Sequence, residues 1–380
     1  MENQEVFITT TAVYFPNSPI GNDQMEEYLG LIAGSHSRVK NIVLRQNGIK
    51  QRYYAIDTNQ NMTHTNAELA ALSINKLFAK THLQMQELEL LACATASPDQ
   101  ILPSHASMVH GLLKNKPIEI YSSAGICLSC IQAFKIAYWS ILSGEKQNAI
   151  CSCSELASAG LLSKNYDLEY EKCADLGTKP YMALEKDFLR FMLSDGASAV
   201  LLQNNPGDKQ ALKIEWIEMT SFANELPTCM FMGAEKTKDG ELKSWKAFNS
   251  QDFVNRSIFT VKQDIKLLEQ KAIPYWAKHI KYCLEKHNIS PDEISYVLPH
   301  VSSMFFYDKL INEMKQTGIG IDESKWFTNL PKVGNIASAA IFAILDEFWN
   351  THELKSGEKI LLIVPESGRF SYGTVLLSVV

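Results

Sequence analysis

A cysteine where an apolar strand ends and a nearly uncharged helix begins is placed for chemistry. In "EIYSSAGICLSCIQAFKIAYW", from Glu119 to Trp139, that cysteine is Cys127. A thiol at a helix N-terminus meets unsatisfied backbone N–H groups and the positive end of the helix dipole, and both favour the thiolate. The same pattern describes a buried thiol packing as a small hydrophobe, the reading that suits Cys130 one turn later. A nucleophilic sulfur needs a partner that moves protons or stabilises charge. Among nine histidines, His300 closes the apolar strand "ISYVLPH", where active-site groups of open α/β sheets emerge. His64, His105 and His110 lie on helical or loop segments without such a placement. Asn335, in "KVGNIASAA", opens a helix behind Gly334, as an ordinary N-cap also would.

These three residues are far apart in the chain, so the elements between them must fold back to bring them together. Patterning alternates strands and helices, which is α/β material. A helix is predicted near Thr65 to Lys80, a buried strand in "ELELLACATAS", a short strand in "IEIYSS", a helix over Cys127 to Leu142 and a strand in "NAICSCSE". Further on come a helix over Tyr275 to His287, the strand before His300, helices over Ser303 to Thr317 and Ile336 to Thr351, and closing strands in "KILLIVPES" and "TVLLSVV".

The order repeats. "CLSCIQAFKIAYWSILSGEKQNAICSCSE", from Cys127, and "NIASAAIFAILDEFWNTHELKSGEKILLIVPES", from Asn335, each run apolar helix, Ser-Gly-Glu-Lys, apolar strand, glutamate. Two halves are therefore expected, residues 1–205 carrying Cys127 and residues 206–380 carrying His300 and Asn335. Longer, more polar insertions interrupt them near 161–191 and 225–271 and are expected to shape a pocket. If a pseudo-two-fold relates the halves, the starts of the two helices meet near its axis.

Composition narrows the function. Over 380 residues the net charge is −6, and no Lys/Arg block suits the phosphates of nucleic acid. No basic segment precedes an apolar run at the N-terminus and no window has the roughly 18 consecutive apolar residues of a membrane span, so a cytoplasmic protein is expected. The eight cysteines are scattered in apolar segments, which reads as reduced core thiols. Cys127, Cys130, Cys151 and Cys153 lack the Gly-rich knuckles of a zinc site.

Taken together, "AGIC" with its helix, "SGEKQNAICSCSELAS", "MLSDGASAVLL", "LPHVSS" and "VGNIASAA" resemble, in order and context, ketoacyl-acyl carrier protein synthase III and its thiolase-fold relatives. "NGIKQRYYA" and "ASPDQILPSHASMVHGLL", the latter near the dimer-forming region, extend the resemblance over nearly all the chain outside the insertions. It implies a thiolase-like fold of two duplicated halves in five αβαβα layers, a homodimer, and an acyltransferase-class enzyme that forms carbon–carbon bonds by Claisen condensation. Its substrates would be coenzyme A or acyl carrier protein thioesters, with no metal or redox cofactor. By position, Cys127 matches the acylated nucleophile, and His300 and Asn335 match the pair that binds the thioester carbonyl of the incoming nucleophile. Gly368, in "ESGRFSYG", matches the glycine whose N–H joins that of Cys127 in the oxyanion hole.

Several positions depart from the pattern. Ser303 stands where these synthases carry a second asparagine, Arg369 and Phe370 break the final glycine-rich run with Glu366 before it, and Leu102 replaces a bulky aromatic that limits the acyl pocket across the dimer. The residues that grip the coenzyme A adenine have no counterpart around Ile42 to Gln46. The ending "VPESGRFSYG" looks like the ketosynthases that join two β-ketoacyl units and close them to a cyclohexanedione, the precursor of dialkylresorcinols. Glu155 is a further acid/base candidate for such a closure, or a solvated strand-end carboxylate; Arg369 would bind a substrate carboxylate or ketone, or pair with Glu366. Two other functions remain open at this level, an acyltransferase to an alcohol or amine on the same fold and a catalytically silent ketosynthase partner.

Overall fold

The computed structural model describes residues 4–169 and 187–380; residues 170–186, within the first predicted insertion, lie outside them. The first half runs β1 (Phe7–Tyr14), α1 (Asn66–Phe78), β2 (Leu90–Thr95), α2 (His105–Leu113), β3 (Glu119–Ala124), α3 (Ser129–Leu142), β4 (Asn148–Glu155) and β5 (Gly196–Gln203). The second runs β6 (Leu212–Ser221), α4 (Ile265–Lys286), β7 (Tyr296–Pro299), α5 (Met304–Gln316), α6 (Ala340–Thr351), β8 (Lys359–Glu366) and β9 (Ser371–Val379).

All nine strands form one sheet in the order β7-β8-β9-β6-β1-β5-β4-β2-β3. The seam between halves is thin, because β1 meets β6 only through Phe7 with Lys213 and Ile8 with Leu212. Counting outward from that seam, the first half places its first, fifth, fourth, second and third strands in turn. The second half repeats that order through β6, β9, β8 and β7, and its third strand shrinks to one parallel bridge between Val297 and Trp326. Strands β2, β3 and β4 run parallel, as do β7 and β8, while the fifth strand of each half turns back antiparallel.

Three apolar cores divide the molecule into layers. One joins α1 and α2 to the outer face of the first half-sheet, and another joins α4 and α5 to the outer face of the second. The third lies between the half-sheets and is filled by α3 and α6. The arrangement is αβαβα, and it explains the composition of the two middle helices: a helix with sheet on both sides has no polar face. The lone cation of α3, Lys135, reaches the Ile217 carbonyl at 2.9 Å. Phe134 of α3 meets Phe342 of α6 at a ring-centroid distance of 5.1 Å, a contact worth about 1 kcal/mol beyond the area it buries.

Element ends differ from the patterning where capping or proline intervenes. The helix predicted from Tyr275 begins at Ile265, where the Asp264 side chain accepts the Leu267 N–H at 2.9 Å. Pro274 lies inside it and hides its first turns from a reading that lets proline end helices. Both middle helices begin later than expected. Regular α3 starts at Ser129 and α6 at Ala340 behind a 3-10 turn over Ala337–Ala339, so Cys127 and Asn335 sit in the turns that lead into their helices.

Candidate active site

Cys127 lies in the turn from β3 to α3, held against the β8–β9 hairpin. Gly373 of β9 makes room for it, since a Cβ there would stand 2.6 Å from Leu128 Cδ1. Across the pseudo-axis, Gly334 adopts a left-handed φ of 72°, and a Cβ on it would come 2.8 Å from Ser194 Cβ. That glycine delivers Asn335, whose backbone bridges Leu193: its N–H donates to Met192 O at 3.1 Å and its carbonyl accepts from Ser194 N at 2.9 Å. Asn335 Oδ1 accepts the Ala337 N–H at 2.9 Å, which leaves the amide Nδ2–H group without a hydrogen-bond partner among the described residues. His300 follows β7, fixed by its N–H to Ile363 O at 2.9 Å.

Cys127, His300 and Asn335 all line one cavity holding about 50 Å³ of open space. The second insertion and α4 build much of its wall, through Met230, Gln263, Ile273 and Trp276, as a pocket-shaping insertion should. The Trp276 indole N–H is buried there with no hydrogen-bond partner among the described residues. Residues from both halves, far apart in sequence, thus meet where the two middle helices start.

The electrostatics correct one expectation and define another. The Cys127 thiol is pushed well up by burial, and further by the charges of Glu366 and Glu155, so the helix entrance does not leave a resting thiolate. Burial pushes His300 down to about 4, so the ring is a neutral imidazole at physiological pH. It can therefore offer an N–H to an oxygen without being a cation. The N–H groups of Cys127 and Gly368 make no hydrogen bond among the described residues. Gly368 packs on the Cys127 turn, where an added Cβ would meet Ile126 Cδ1 at 2.9 Å.

The remaining sequence candidates separate. Glu155 is buried, not a solvated strand end: it accepts the Ala96 and Ser338 N–H groups and the Ser97 and Ser338 hydroxyls. Burial raises its pKa against those donors. Ser303 caps α5 by accepting from Phe305 N and donates to Gln46 O at 3.1 Å, and its neighbour Ser302 is the serine on the cavity. Arg369 forms no ion pair with Glu366 among the described residues and donates through Nε to Leu226 O at 3.1 Å. Leu102 is 82% exposed and does not line the cavity of its own chain. Cys130, Cys151 and Cys153 are core residues, the first donating its S–H to the Cys127 carbonyl at 3.0 Å.

One cavity residue went unassigned from sequence. Glu366, read from sequence only as the residue before a broken glycine-rich run and a partner for Arg369, lines the cavity with Cys127, and its Oε2 accepts the N–H groups of Ile126 and Leu128, each at 3.2 Å. The signal was present: the repeat ends in a glutamate in both halves, Glu155 after β4 and Glu366 after β8.

The family model described as 3-oxoacyl-(acyl-carrier-protein) synthase III C terminal matches residues 284–379. Over 380 residues the chain is 26% identical to a β-ketoacyl-(acyl-carrier-protein) synthase III of Clostridium perfringens, covering 99% of each chain. Among solved structures it is similar to a variant of Xanthomonas campestris OleA, with a TM-score of 0.76 at 18% identity over 99% of both chains. It is also similar to AbyA1, a tetronic acid condensing enzyme, with a TM-score of 0.75 at 17% identity over 98% of this chain and 99% of that one. The fold is thiolase-like, and the sequence is similar over nearly its whole length to ketoacyl-acyl carrier protein synthase III.

Proposed function

We propose that this chain is a condensing enzyme that accepts an acyl group on Cys127 and joins it by Claisen condensation to a second acyl thioester. The observation that carries this reading is the meeting of Cys127, His300 and Asn335 on one cavity. Cys127 Sγ attacks the thioester carbonyl, and the free N–H groups of Cys127 and Gly368 are suited to the tetrahedral oxyanion. Two such donors in a dry site contribute several kcal/mol. In the second half-reaction the neutral His300 ring and the Asn335 amide stabilise the enolate oxygen of the incoming unit, whose carbon then displaces the Cys127 sulfur.

We read the substrates as coenzyme A or acyl carrier protein thioesters, the second of which the synthase relatives are named for, and the chemistry as needing no metal or redox cofactor. The Glu366 position on the cavity and the apolar Met230 and Leu268 supplied by the second insertion support an acceptor other than a short priming unit. On that basis two β-ketoacyl units are joined and cyclised to a dialkylcyclohexanedione. No helix among the described residues is long and apolar enough to cross a membrane; we take the enzyme to act in the cytoplasm as a homodimer. The unpaired edge of β3 and the exposed Ile101, Leu102 and Leu112 beside it support a dimer face, because unprotected apolar edges invite pairing.

Mass spectrometry after incubation with acyl thioesters tests the first half-reaction. An adduct mapped to Cys127 and lost in Cys127→Ala is expected. Product analysis with a panel of β-ketoacyl thioesters tests the second; acyl esters or amides without a new carbon–carbon bond would replace condensation by simple acyl transfer.

A further inference from the structure

Acyl transfer from one sulfur to another has a proton to move, because the Cys127 thiol must lose one and the departing carrier sulfur must gain one. His300 is ill placed to take it: the ring is buried, no carboxylate among the described residues bonds to it, and protonation would create a buried cation without a counter-ion there. Glu155 is closed off by its donors. Glu366 differs on each count. Its Oε2 is held by the two residues that flank Cys127 in sequence, so the carboxylate is tied to the nucleophile's own turn. Its Oε1 makes no hydrogen bond among the described residues and lies 3.4 Å from where a Cβ on Gly368 would stand. That oxygen therefore lies close to Gly368, on the cavity that Cys127 also lines.

We propose that Glu366 carries the proton of the acyl-transfer step, taking it from Cys127 Sγ as the sulfur attacks and returning it to the departing carrier sulfur. The inference rests on the condensing-enzyme reading above. The Sγ–C bond forms, the bond from the acyl carbon to the carrier sulfur breaks, and the proton passes from Cys127 through Glu366 to the released thiol, so Glu366 ends the step as the carboxylate it began. Burial raises the Glu366 pKa, which makes it a stronger base than a solvated carboxylate. The groups around it are the Cys127 thiol before α3, neutral His300 after β7, Glu155 at the end of β4 and Arg369 on its own hairpin, the last turned toward Leu226.

Two rates on the same cysteine test this: acylation of Cys127 by an acyl thioester, and its alkylation by iodoacetamide at pH 8. Glu366→Gln keeps an oxygen for the Ile126 and Leu128 N–H groups but cannot carry the proton. Acylation is expected to fall about 100-fold or more, while alkylation speeds up, because loss of the negative charge lowers the thiol pKa and raises the thiolate fraction. Glu366→Asp, which retains a carboxylate, is expected to recover part of the acylation rate. Glu366→Gln acylating at the wild-type rate, or losing both rates in equal measure as a collapsed cavity would, overturns the proposal. Wild-type protein that alkylates at Cys127 yet forms no adduct with any thioester overturns the condensing-enzyme reading and the proton carrier together. A wild-type adduct with an unchanged variant rejects the carrier alone.

Discussion

The entrances to α3 and α6 are the same place in the two halves, and each is covered by the glutamate that ends a strand of the other half. Glu155, after β4, accepts the Ser338 N–H at the entrance to α6. Glu366, after β8, accepts the Ile126 and Leu128 N–H groups at the entrance to α3. One is sealed by hydroxyls and amides from both halves; the other keeps an oxygen free and faces a cavity. The difference shows how a duplicated scaffold divides labour: one copy of a carboxylate binds the halves together, and its counterpart keeps one oxygen without a hydrogen bond among the described residues, beside the proposed nucleophile.

The largest effects should come from the residues that differ at the two entrances. Cys127→Ala is expected to abolish the acyl adduct and all condensation. An adduct that persists on another cysteine in intact-mass and peptide analysis would break the assignment of the α3 entrance. Asn335→Ala, at the α6 entrance, should still form the adduct at close to the wild-type rate but condense about 100-fold more slowly, as should His300→Ala. Single-turnover measurements separate the steps, and equal loss of both would contradict a division between the entrances.

The glutamates themselves are separated by stability. Glu155→Ala leaves the Ala96 and Ser338 N–H groups buried without partners and should cost roughly 3 kcal/mol, measured as a lower urea midpoint at unchanged slope. Glu366→Gln should do the reverse, on a smaller scale. A buried carboxylate with a raised pKa penalises the folded state wherever it is ionised, that is, above its folded pKa, and the penalty is relieved as pH falls through that value. The glutamine variant should therefore be more stable than wild type at pH 7 by about 1 kcal/mol or less, with the gap closing toward acid. A gap that widens on acidification would mean that the Ile126 and Leu128 N–H groups outweigh burial and hold the Glu366 carboxyl below its ordinary range.

Much of this architecture is legible in the chain because periodicity and repetition are local properties. The predominantly apolar α3 and α6 announce a layer between sheets, and the shared Ser-Gly-Glu-Lys turn with its surrounding elements announces the duplication. Cys127, His300 and Asn335 were visible as residues at strand ends and helix entrances, positions set by chain order. The early start of α4 was not, since Pro274 masks it and the Asp264 cap that begins it acts through geometry.

Charge state and partnership belong to a different level. Nothing in the chain distinguishes Glu155 from Glu366, since both end a buried strand after an apolar run. Nor does the position of Cys127 show that its thiol is raised rather than lowered: a helix entrance favours the thiolate, and only the dry cavity and the carboxylate beside it reverse that. The amino-acid sequence by itself determined which elements form and which side chains they carry to the middle of the molecule. The folded structure decided which of those side chains meet, which are sealed and which remain open. Desolvation and hydrogen bonding depend on neighbours brought from distant parts of the chain, 183 residues away for Glu155 and Ser338 and 240 for Glu366 and Ile126.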